Sequence, residues 1–473
     1  MKPKESPPKK IKKKNTAEAD VSAEFYGMEQ AFMNTPIFDF VSEYAEKNYV
    51  RAHMPGHKGV SDGNAISAVY PYDITEIGGA DSLFEADGII AESEKNAAEL
   101  FHTDGTFYSA GGSTLCIQSM LAMVCKSGDT VVAARNSHKA FINTCILLGL
   151  DVEWVYPEFE NGSVIAGKIT AEAVESVLVN VEEAACVYIT SPDYLGNIAD
   201  IKAIAEVCHS YGVPLLVDNA HGAHLAFLEP SQHPIALGAD ICCDSAHKTL
   251  SVLTGGAYLH TASHKYTVKA KEAMSLFGSS SPSYLIMQSL DLCNKYLAEG
   301  FRDDLKRTVQ QIAELKKALS GRFHICPSEP LKLTVYACPC GRRGVDAAEY
   351  LRERNIECEY ADETHVMMMF SPSNPESDYK RVYDALMAMP SPRIRLMPPQ
   401  FRLVPPVRVM SPREAYFAPS ETVSVDECCG RICSKAKTVC PPCVPVAVGG
   451  EVFDVDSVKI LKMYSISEVN VLK

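Results

Sequence analysis

The feature that most constrains the fold is a unit repeated between about residues 100 and 260: a short apolar run, a cluster of small or polar residues, then a helix-like segment. Several runs are apolar on both faces, which is typical of buried parallel strands. The repeat therefore predicts an α/β domain built on a parallel sheet. The six runs are GTFYSA (105–110), DTVVAAR (129–135), ACVYIT (185–190), VPLLVD (213–218), ADICCD (239–244) and GGAYLH (255–260).

Segments outside this block predict further domains. With 473 residues, the chain is long enough for one large domain and one or two smaller ones. Long helical periodicity over 280–320 leads out of the large domain, and the proline-dense stretch 389–412 marks a boundary. The predicted parts are a disordered basic tail and lead-in (1–35), a large domain (36–275), a linking helix with a small α/β domain (276–390) and a C-terminal domain (391–473).

Composition argues against several classes of protein. The formal net charge of -14 disfavours a nucleic-acid surface. No apolar run approaches the roughly 18 residues that span a bilayer, and the basic opening MKPKESPPKKIKKKN is not followed by the apolar segment of a secretory signal. Seventeen cysteines without an export signal favour reduced thiols. We therefore expect a cytoplasmic protein without nucleic-acid or membrane partners.

Cysteines crowd the C-terminal end of the sequence. The CPPC stretch supplies one CxxC arm of the kind that binds zinc, but no second CxxC lies at a suitable spacing. Of the two interpretations, a structural zinc site and free thiols on a small domain, the spacing favours free thiols, so we predict no metal ligand. The cysteines concerned are Cys428, Cys429, Cys433, Cys440 and Cys443, with Cys338 and Cys340 further upstream.

The stretch ICCDSAHKTL (241–250) ends an apolar run in several polar side chains. A lysine such as Lys248, held at a strand end beside hydroxyls and an imidazole, can form a Schiff base with an aldehyde if its pKa is lowered. The usual aldehyde is pyridoxal phosphate. This cofactor demands an acid beside its ring nitrogen and a donor-rich turn around its phosphate.

Candidates for both demands lie at other strand ends. Asp218 closes the run VPLLVD, so its carboxylate is a candidate partner of the ring nitrogen. The turn GGST (111–114) enters a helix, and its backbone N–H groups and the helix dipole can receive a phosphate. Ser245 and His247 can add donors from the other side.

Three histidines extend the pattern. His138 follows another strand, where an imidazole can stack on a flat ring, and His221 and His224 follow Asp218 closely. Each residue alone is a weak signal, because a lone histidine or a strand-ending aspartate is common. Four such features at successive strand ends predict one cofactor site.

The motifs HMPGHKG, GGST, NSHK, DNAHGAH and SAHKTL occur in the order in which they stand in the Orn/Lys/Arg decarboxylase family. The resemblance runs from about residue 35 to 455, and SPREAYFAP and PPCVPVAVGGE resemble the family's C-terminal domain. The sequence is similar to the shorter form without an amino-terminal wing domain. The resemblance implies a fold-type I pyridoxal-phosphate enzyme, with a mostly parallel seven-stranded sheet in the large domain and smaller α/β and C-terminal domains.

The resemblance also implies a role for each motif residue. Lys248 would bind pyridoxal phosphate covalently, Asp218 would pair with the ring nitrogen, and His138 would stack on the ring. His221 would lie beside Asp218, and His247 would help to return a proton to the substrate's α-carbon. The implied phosphate-binding residues are Gly112, Ser113, Thr114, Ser245 and His247.

Two residues depart from the family's usual pattern. Ala246 stands where the family more often has threonine, which removes a hydroxyl. Asn219 stands where the family more often has glutamate, which removes a charge. We expect these changes to alter phosphate or substrate contacts without preventing covalent attachment of the cofactor at Lys248.

The implied reaction is decarboxylation of a basic L-amino acid to an amine for polyamine biosynthesis, with arginine ahead of lysine and ornithine as substrate. The alternatives are an aminotransferase-like enzyme on the same fold and a non-catalytic scaffold. Asp81, Glu85 and Glu414 are candidates for recognising the substrate's distal cation, although a solvated surface carboxylate is the favoured interpretation of each. Active sites of this fold type form at a dimer interface, so RAHMPGHKG and GGADSLFEADG are expected to reach the partner of a homodimer or higher oligomer.

Overall fold

The computed structural model describes residues 33–159, 167–390, 396, 405–438 and 445–473. Most of the basic tail and most of the proline-dense stretch 389–412 lie outside the described residues. So do Cys440 and Cys443, which form the CPPC arm. Within the described residues, no helix is long and apolar enough to cross a membrane.

A seven-stranded sheet forms the centre of the molecule. Its strand order is β1-β9-β8-β7-β6-β2-β3, with parallel pairing from β8 through to β3 and antiparallel pairing of β9 with β8 and β1. The predicted mostly parallel seven-stranded sheet is confirmed. The strands are β1 (Gly105–Ser109), β2 (Thr130–Ala134), β3 (Asp151–Val155), β4 (Glu158–Phe159), β5 (Gly167–Lys168), β6 (Ala184–Thr190), β7 (Leu215–Asp218), β8 (Ile241–Asp244) and β9 (Ala257–Thr261), of which β4 and β5 form a separate hairpin.

Helices cover both faces of this sheet. Alternate residues of one strand enter different cores, because side chains along a strand point to opposite faces. Val131 belongs to one core and Val132 to the other. Both faces are thus dry, which explains the continuous apolar runs. The helices before residue 300 are α1 (Pro36–Glu46), α2 (Ile89–Phe101), α3 (Gly112–Val124), α4 (Lys139–Leu148), α5 (Ala171–Leu178), α6 (Ile201–Ser210), α7 (Ala246–Thr249), α8 (His264–Ser275) and α9 (Tyr284–Glu299).

A smaller unit follows a break in the helical stretch 280–320. The periodicity there suggests long helix, but one helix ends at Glu299 and the next begins at Phe301, because Gly300 has a non-helical φ of -152°. Four antiparallel strands and three helices make up the unit. They are α10 (Phe301–Leu319), β10 (His324–Cys326), β11 (Lys332–Tyr336), α11 (Gly344–Arg352), β12 (Tyr360–Ala361), β13 (His365–Met369) and α12 (Glu376–Ala388), with sheet order β10-β11-β13-β12.

The C-terminal segment packs in a further apolar core, which includes Val425, Cys433, Phe453 and Val471 and also takes in Leu195 and Met367. Two small antiparallel sheets, β14 with β17 and β15 with β16, frame it. The elements are α13 (Pro412–Phe417), β14 (Ser420–Ser424), β15 (Lys437–Thr438), β16 (Pro445–Ala447), α14 (Val455–Met463) and β17 (Glu468–Leu472). Short 3-10 helices occur at Ser67–Tyr72, Ala223–Phe227, Ile235–Leu237, Cys338–Cys340 and Val425–Glu427.

A buried ion pair joins the C-terminal segment to the central sheet. Arg135, directly after β2, donates from Nη1 and Nη2 to the two carboxylate oxygens of Glu451 at 2.6 and 2.8 Å. Its Nε donates to the carbonyl oxygen of Pro445 at 3.2 Å. Arg135 is completely buried and Glu451 nearly so. Removing either charge would leave the other without compensation in a dry interior.

We expect Glu451→Gln to lower the free energy of unfolding by roughly 3–5 kcal/mol, because a buried guanidinium would lose its counter-charge. Denaturant unfolding would measure the change. The matched control is Glu357→Gln, which breaks an exposed pair with Arg352 and should leave the free energy of unfolding almost unchanged, because water screens the pair. Equal losses in both variants would contradict the importance assigned to the buried pair.

Candidate active site

The predicted site residues follow strands that end at one edge of the sheet. Because β2, β6, β7 and β8 run parallel, their carboxyl ends lie on the same side, and β1 points the same way because two antiparallel steps separate it from β8. Asp218 is the last residue of β7, where it pairs in register with Thr190 of β6 and Cys243 of β8. Crevices at such edges are where open α/β sheets bind ligands.

Lys248 lies in α7, the single helical turn that follows β8. Its Nζ is 3.0 Å from Nε2 of His221. Burial, reinforced by the nearby charge of Lys248, lowers the pKa of His221 well below its usual value, so the imidazole is neutral and can accept from the lysine. The structure thus brings together two predicted residues that are 27 positions apart.

Asp218 is a buried carboxylate with only neutral donors around it. Tyr188 donates its hydroxyl to Oδ2 at 3.2 Å, and the backbone N–H of Ala220 donates to Oδ1 at 3.1 Å. Within the described residues no cationic side chain lies within ion-pairing distance of Asp218. A buried carboxylate without a counter-charge is costly, and a protonated ring nitrogen would supply that charge. The donor set therefore fits pyridoxal phosphate.

The GGST turn and the SAHK segment meet across the site. Ser245 donates its hydroxyl to Oγ of Ser113 at 2.9 Å, although the two residues are 132 positions apart. Gly112 has a left-handed φ of +67° and donates its N–H to the carbonyl of Gly255 at 2.8 Å. Two hydroxyls and the first amides of α3 thus lie together, an arrangement that suits a phosphate. Thr114, on the same turn, is exposed.

Hydrogen bonds hold the rings of His138 and His247. The backbone N–H of Ala140 donates to Nδ1 of His138 at 3.1 Å, while Nδ1 of His247 donates to the carbonyl of Gly256 at 2.9 Å. Burial lowers the pKa of His138, opposed by Asp218 and assisted by Lys248. The charges of Asp218 and Lys248 thus both act on the pKa of His138, as they would within one site.

Two buried polar atoms of the site lack partners among the described residues. They are Nδ1 of His221 and Oγ1 of Thr190. Since buried polar groups are normally hydrogen-bonded, these atoms fit a site that a polar ligand completes. Thr190 pairs in register with Asp218. His221 follows Asp218 on the loop after β7.

No hydrogen bond or ion pair among the described residues joins the three carboxylates predicted as substrate candidates to this group. Asp81 accepts backbone N–H groups of Ser82, Asp87, Gly88 and Ile90 at 2.8–3.1 Å, so its carboxylate caps the start of α2. Glu414 accepts from Ser411 in a capping box at the start of α13. Glu85 is exposed. These surroundings support the structural interpretation of Asp81 and Glu414 and the surface interpretation of Glu85.

Both departures from the family's pattern have a structural explanation. Ala246 is fully buried and belongs to an apolar core, where a hydroxyl would need a partner. Asn219 is also buried, and its Nδ2 donates to Oδ1 of Asp244 at 2.7 Å. A glutamate in place of Asn219 would bring a second negative charge to Asp244. The contact with Asp244 therefore explains why asparagine stands at position 219.

Sequence reasoning missed Glu329 and Lys332, which support the site from the smaller unit, and it also missed Tyr194. His224 Nε2 is 2.9 Å from Oε2 of Glu329, and both side chains are fully buried. Lys332, at the start of β11, donates to the carbonyl oxygens of Asp193 and Tyr194 at 3.1 and 3.2 Å. The ring of Tyr194 packs edge-on against His221 at 5.0 Å. Only contacts distant in sequence reveal these roles, so no local pattern signals them.

Comparisons with known proteins agree with this geometry. The family model described as Orn/Lys/Arg decarboxylase, major domain, matches residues 35–338. An arginine decarboxylase of Bacillus subtilis (strain 168) is 29% identical over 90% of this chain and 93% of its own. An arginine decarboxylase of Halalkalibacterium halodurans is 31% identical over 88% of this chain and 91% of its own.

Solved structures share the fold. Lysine decarboxylase A from Pseudomonas aeruginosa superimposes with a TM-score of 0.79 at 17% identity, covering 94% of this chain and 81% of its own. The E. coli constitutive lysine decarboxylase gives 0.77 at 16% identity, covering 93% and 82%. The chain thus has the fold-type I architecture predicted from its sequence.

We expect Gly112→Ala to weaken cofactor binding, because a side chain at a φ of +67° forces the turn to shift. The strain itself should cost roughly 1–2 kcal/mol of stability. Gly128→Ala is the matched control, since Gly128 also has a left-handed φ of +90° and open space at its Cβ position. Denaturant unfolding should show similar losses, whereas a pyridoxal-phosphate titration should show weaker binding only for Gly112→Ala. Unchanged affinity in that variant would contradict the phosphate role.

Proposed function

Because the chain belongs to the Orn/Lys/Arg decarboxylase family, we propose that it decarboxylates a basic L-amino acid with pyridoxal phosphate as cofactor, arginine ahead of lysine and ornithine. The 3.0 Å contact between Lys248 Nζ and His221 Nε2 carries the proposal within the structure, because it fixes an amine nucleophile against a neutral imidazole at the carboxyl edge of the sheet. The arginine decarboxylases of similar length support the choice of arginine.

The proposed roles follow from the surroundings of each residue. Lys248 would attach the cofactor covalently, and His221, as a neutral imidazole, would orient that amine by accepting a hydrogen bond from it. Asp218 would hold a proton on the ring nitrogen, since the carboxylate has no other cationic partner among the described residues. His138, fixed through Nδ1, would cover one face of the ring. When bound, pyridoxal phosphate supplies a protonated ring that withdraws electrons from the α-carbon.

Phosphate binding and proton return would use the turn after β1 and the segment after β8. Ser113, Ser245 and the first amides of α3 would hold the phosphate, with Gly112 and Thr114 shaping the same turn. His247 donates through Nδ1 to Gly256, so Nε2 is the nitrogen that can exchange a proton. We assign His247 the return of a proton to the α-carbon after carbon dioxide leaves.

A homodimer would complete the site. The segment before α2 that contains RAHMPGHKG exposes several apolar side chains, and exposed apolar surface commonly marks an interface. The exposed residues are Tyr49, Val50, Met54, Val60, Ile66, Val69 and Tyr72. In this proposal the enzyme is cytoplasmic, and its amine product enters polyamine biosynthesis.

Turnover with arginine, lysine and ornithine side by side tests the proposal. Carbon dioxide with an equal amount of amine, fastest from arginine, is the expected result. Lys248→Ala should lower the rate at least ~1,000-fold, because the covalent amine is lost. Lys265→Ala removes an exposed lysine and should leave the rate unchanged. A keto acid product would establish the aminotransferase alternative, and no product from any substrate would favour a scaffold.

The proton role of His247 predicts a pH dependence. Burial lowers the pKa of His247, and the hydrogen bond to Gly256 acts in the opposite direction. If the protonated imidazole returns the proton, the rate falls as pH rises through this pKa, because the acid form disappears. His247→Gln should remove that limb of the kcat profile and lower the maximum by about 100-fold or more.

His209→Gln is the control for this experiment. His209 lies on α6 and pairs with Asp240 at the surface, so its loss should change neither the midpoint nor the maximum of the profile. An unchanged rate of product formation in His247→Gln would rule out the proton role.

A further inference from the structure

A second group of reactive side chains lies behind the strand that leads to Lys248. Cys242 and Asp244 are two positions apart on β8, so they share a face of the sheet. Cys242 pairs in register with His260 of the antiparallel strand β9. His233 joins them from the loop before β8. All four side chains are at most 1% exposed.

The candidate ligand atoms of these four residues lie within 4.8 Å of one another. Asp244 Oδ2 is 3.2 Å from Nε2 of both His233 and His260, and Cys242 Sγ is 3.6 Å from Nε2 of His233. In a tetrahedral zinc site with bonds of about 2.0–2.3 Å, neighbouring ligand atoms lie ~3.3–3.8 Å apart. The three separations of 3.2, 3.2 and 3.6 Å are close to the edges of such a tetrahedron, and the remaining pairs of ligand atoms lie within 4.8 Å of one another.

Hydrogen bonds between the four side chains explain these distances less well than a shared metal ion does. Nε2 of His233 faces both Oδ2 of Asp244 and the thiol of Cys242, whose Sγ is also 3.9 Å from Oδ1 of Asp244. A charge-assisted N–H···O contact is usually about 2.7–2.9 Å long, which is shorter than the two 3.2 Å contacts to Asp244.

Charge balance points the same way. A divalent cation held by one thiolate, one carboxylate and two neutral imidazoles forms a group with no net charge. Such a group is far cheaper to bury than a carboxylate without a full counter-charge. Within the described residues, no lysine or arginine forms an ion pair with Asp244, whose ion-pair partners are His233 and His260.

Residues around the group hold His260 and Asp244 as outer contacts of metal sites do, whereas Nδ1 of His233 has no partner among the described residues. Nδ1 of His260 is 2.8 Å from Oγ1 of Thr106, which fixes Nε2 as the nitrogen that faces Asp244. Oδ1 of Asp244 accepts from Nδ2 of Asn219 at 2.7 Å, leaving Oδ2 for the two histidines. Asn219 thus contacts Asp244 and the proposed metal group, although in sequence it follows Asp218 directly.

We propose that His233, Cys242, Asp244 and His260 bind one structural zinc ion. With four protein ligands the site is closed, as structural zinc sites are, and the mixed nitrogen, sulfur and oxygen set suits Zn²⁺. The ion would fix the end of β8 directly before Ser245, and through Asn219 it would fix the end of β7 at Asp218. This proposal differs from the sequence-based expectation of no metal ligand, and it does not depend on the decarboxylase activity.

Elemental analysis of the full-length protein tests the site. After expression with added Zn²⁺ and exhaustive dialysis, we expect about one zinc per chain, the stoichiometry of a single four-ligand site. Cys242→Ala should lower zinc affinity at least ~10-fold, since even the loss of an outer contact has that effect. Cys208→Ala, which removes a buried cysteine on α6, should retain the zinc. Zinc-free wild-type protein would overturn the proposal.

A second measurement needs no variant that could fail to fold. Wild-type protein expressed with Co²⁺ in place of Zn²⁺ should show the intense visible bands of tetrahedral cobalt together with a sulfur-to-cobalt charge-transfer band. A weak octahedral spectrum would overturn the assignment. Loss of zinc in a Cys440→Ala/Cys443→Ala double variant, with retention in Cys242→Ala, would place the ion at the C-terminal cysteines instead and would equally overturn it.

Discussion

Parallel hydrogen bonding between β6, β7 and β8 is the constraint on which the site depends. The register sets Thr190, Asp218 and Cys243 side by side across three strands. Because side chains alternate along a strand, a slip of one residue in β7 would turn Asp218 to the opposite face. Both faces are filled by apolar cores, so such a slip would also repack both of them. The position of the candidate site residues therefore depends on core packing.

The smaller unit contributes to the site through buried polar contacts rather than through catalytic groups. Glu329 meets His224, and Lys332 holds the carbonyl of Tyr194, whose ring borders His221. Burial lowers the pKa of Lys332, opposed by the negative charges of Glu329 and Asp193. Lys332 belongs to the smaller unit, and Tyr194 belongs to the large domain. The orientation of His221 therefore depends on how the smaller unit packs against the large domain.

Sequence reasoning succeeded where a local pattern determines structure. The six apolar runs became strands of the central sheet, and the turn glycines and Lys248 lie at its ligand-binding edge. It missed β3, because the run around Trp154 interleaves acidic residues, and it missed the break at Gly300, where a single residue interrupts strong periodicity. It also missed the group around Asp244, since strand pairing and a distant loop assemble those ligands.

The pairing of Arg135 with Glu451 sets an order of events during synthesis. The sheet that holds Arg135 can pair its strands once β9 has left the ribosome, yet the carboxylate that neutralises this guanidinium is 316 positions further along the chain. Until that residue emerges, the guanidinium that follows β2 has no counter-charge with which it can be buried. A segment translated after the whole sheet thus neutralises a charge that was made much earlier.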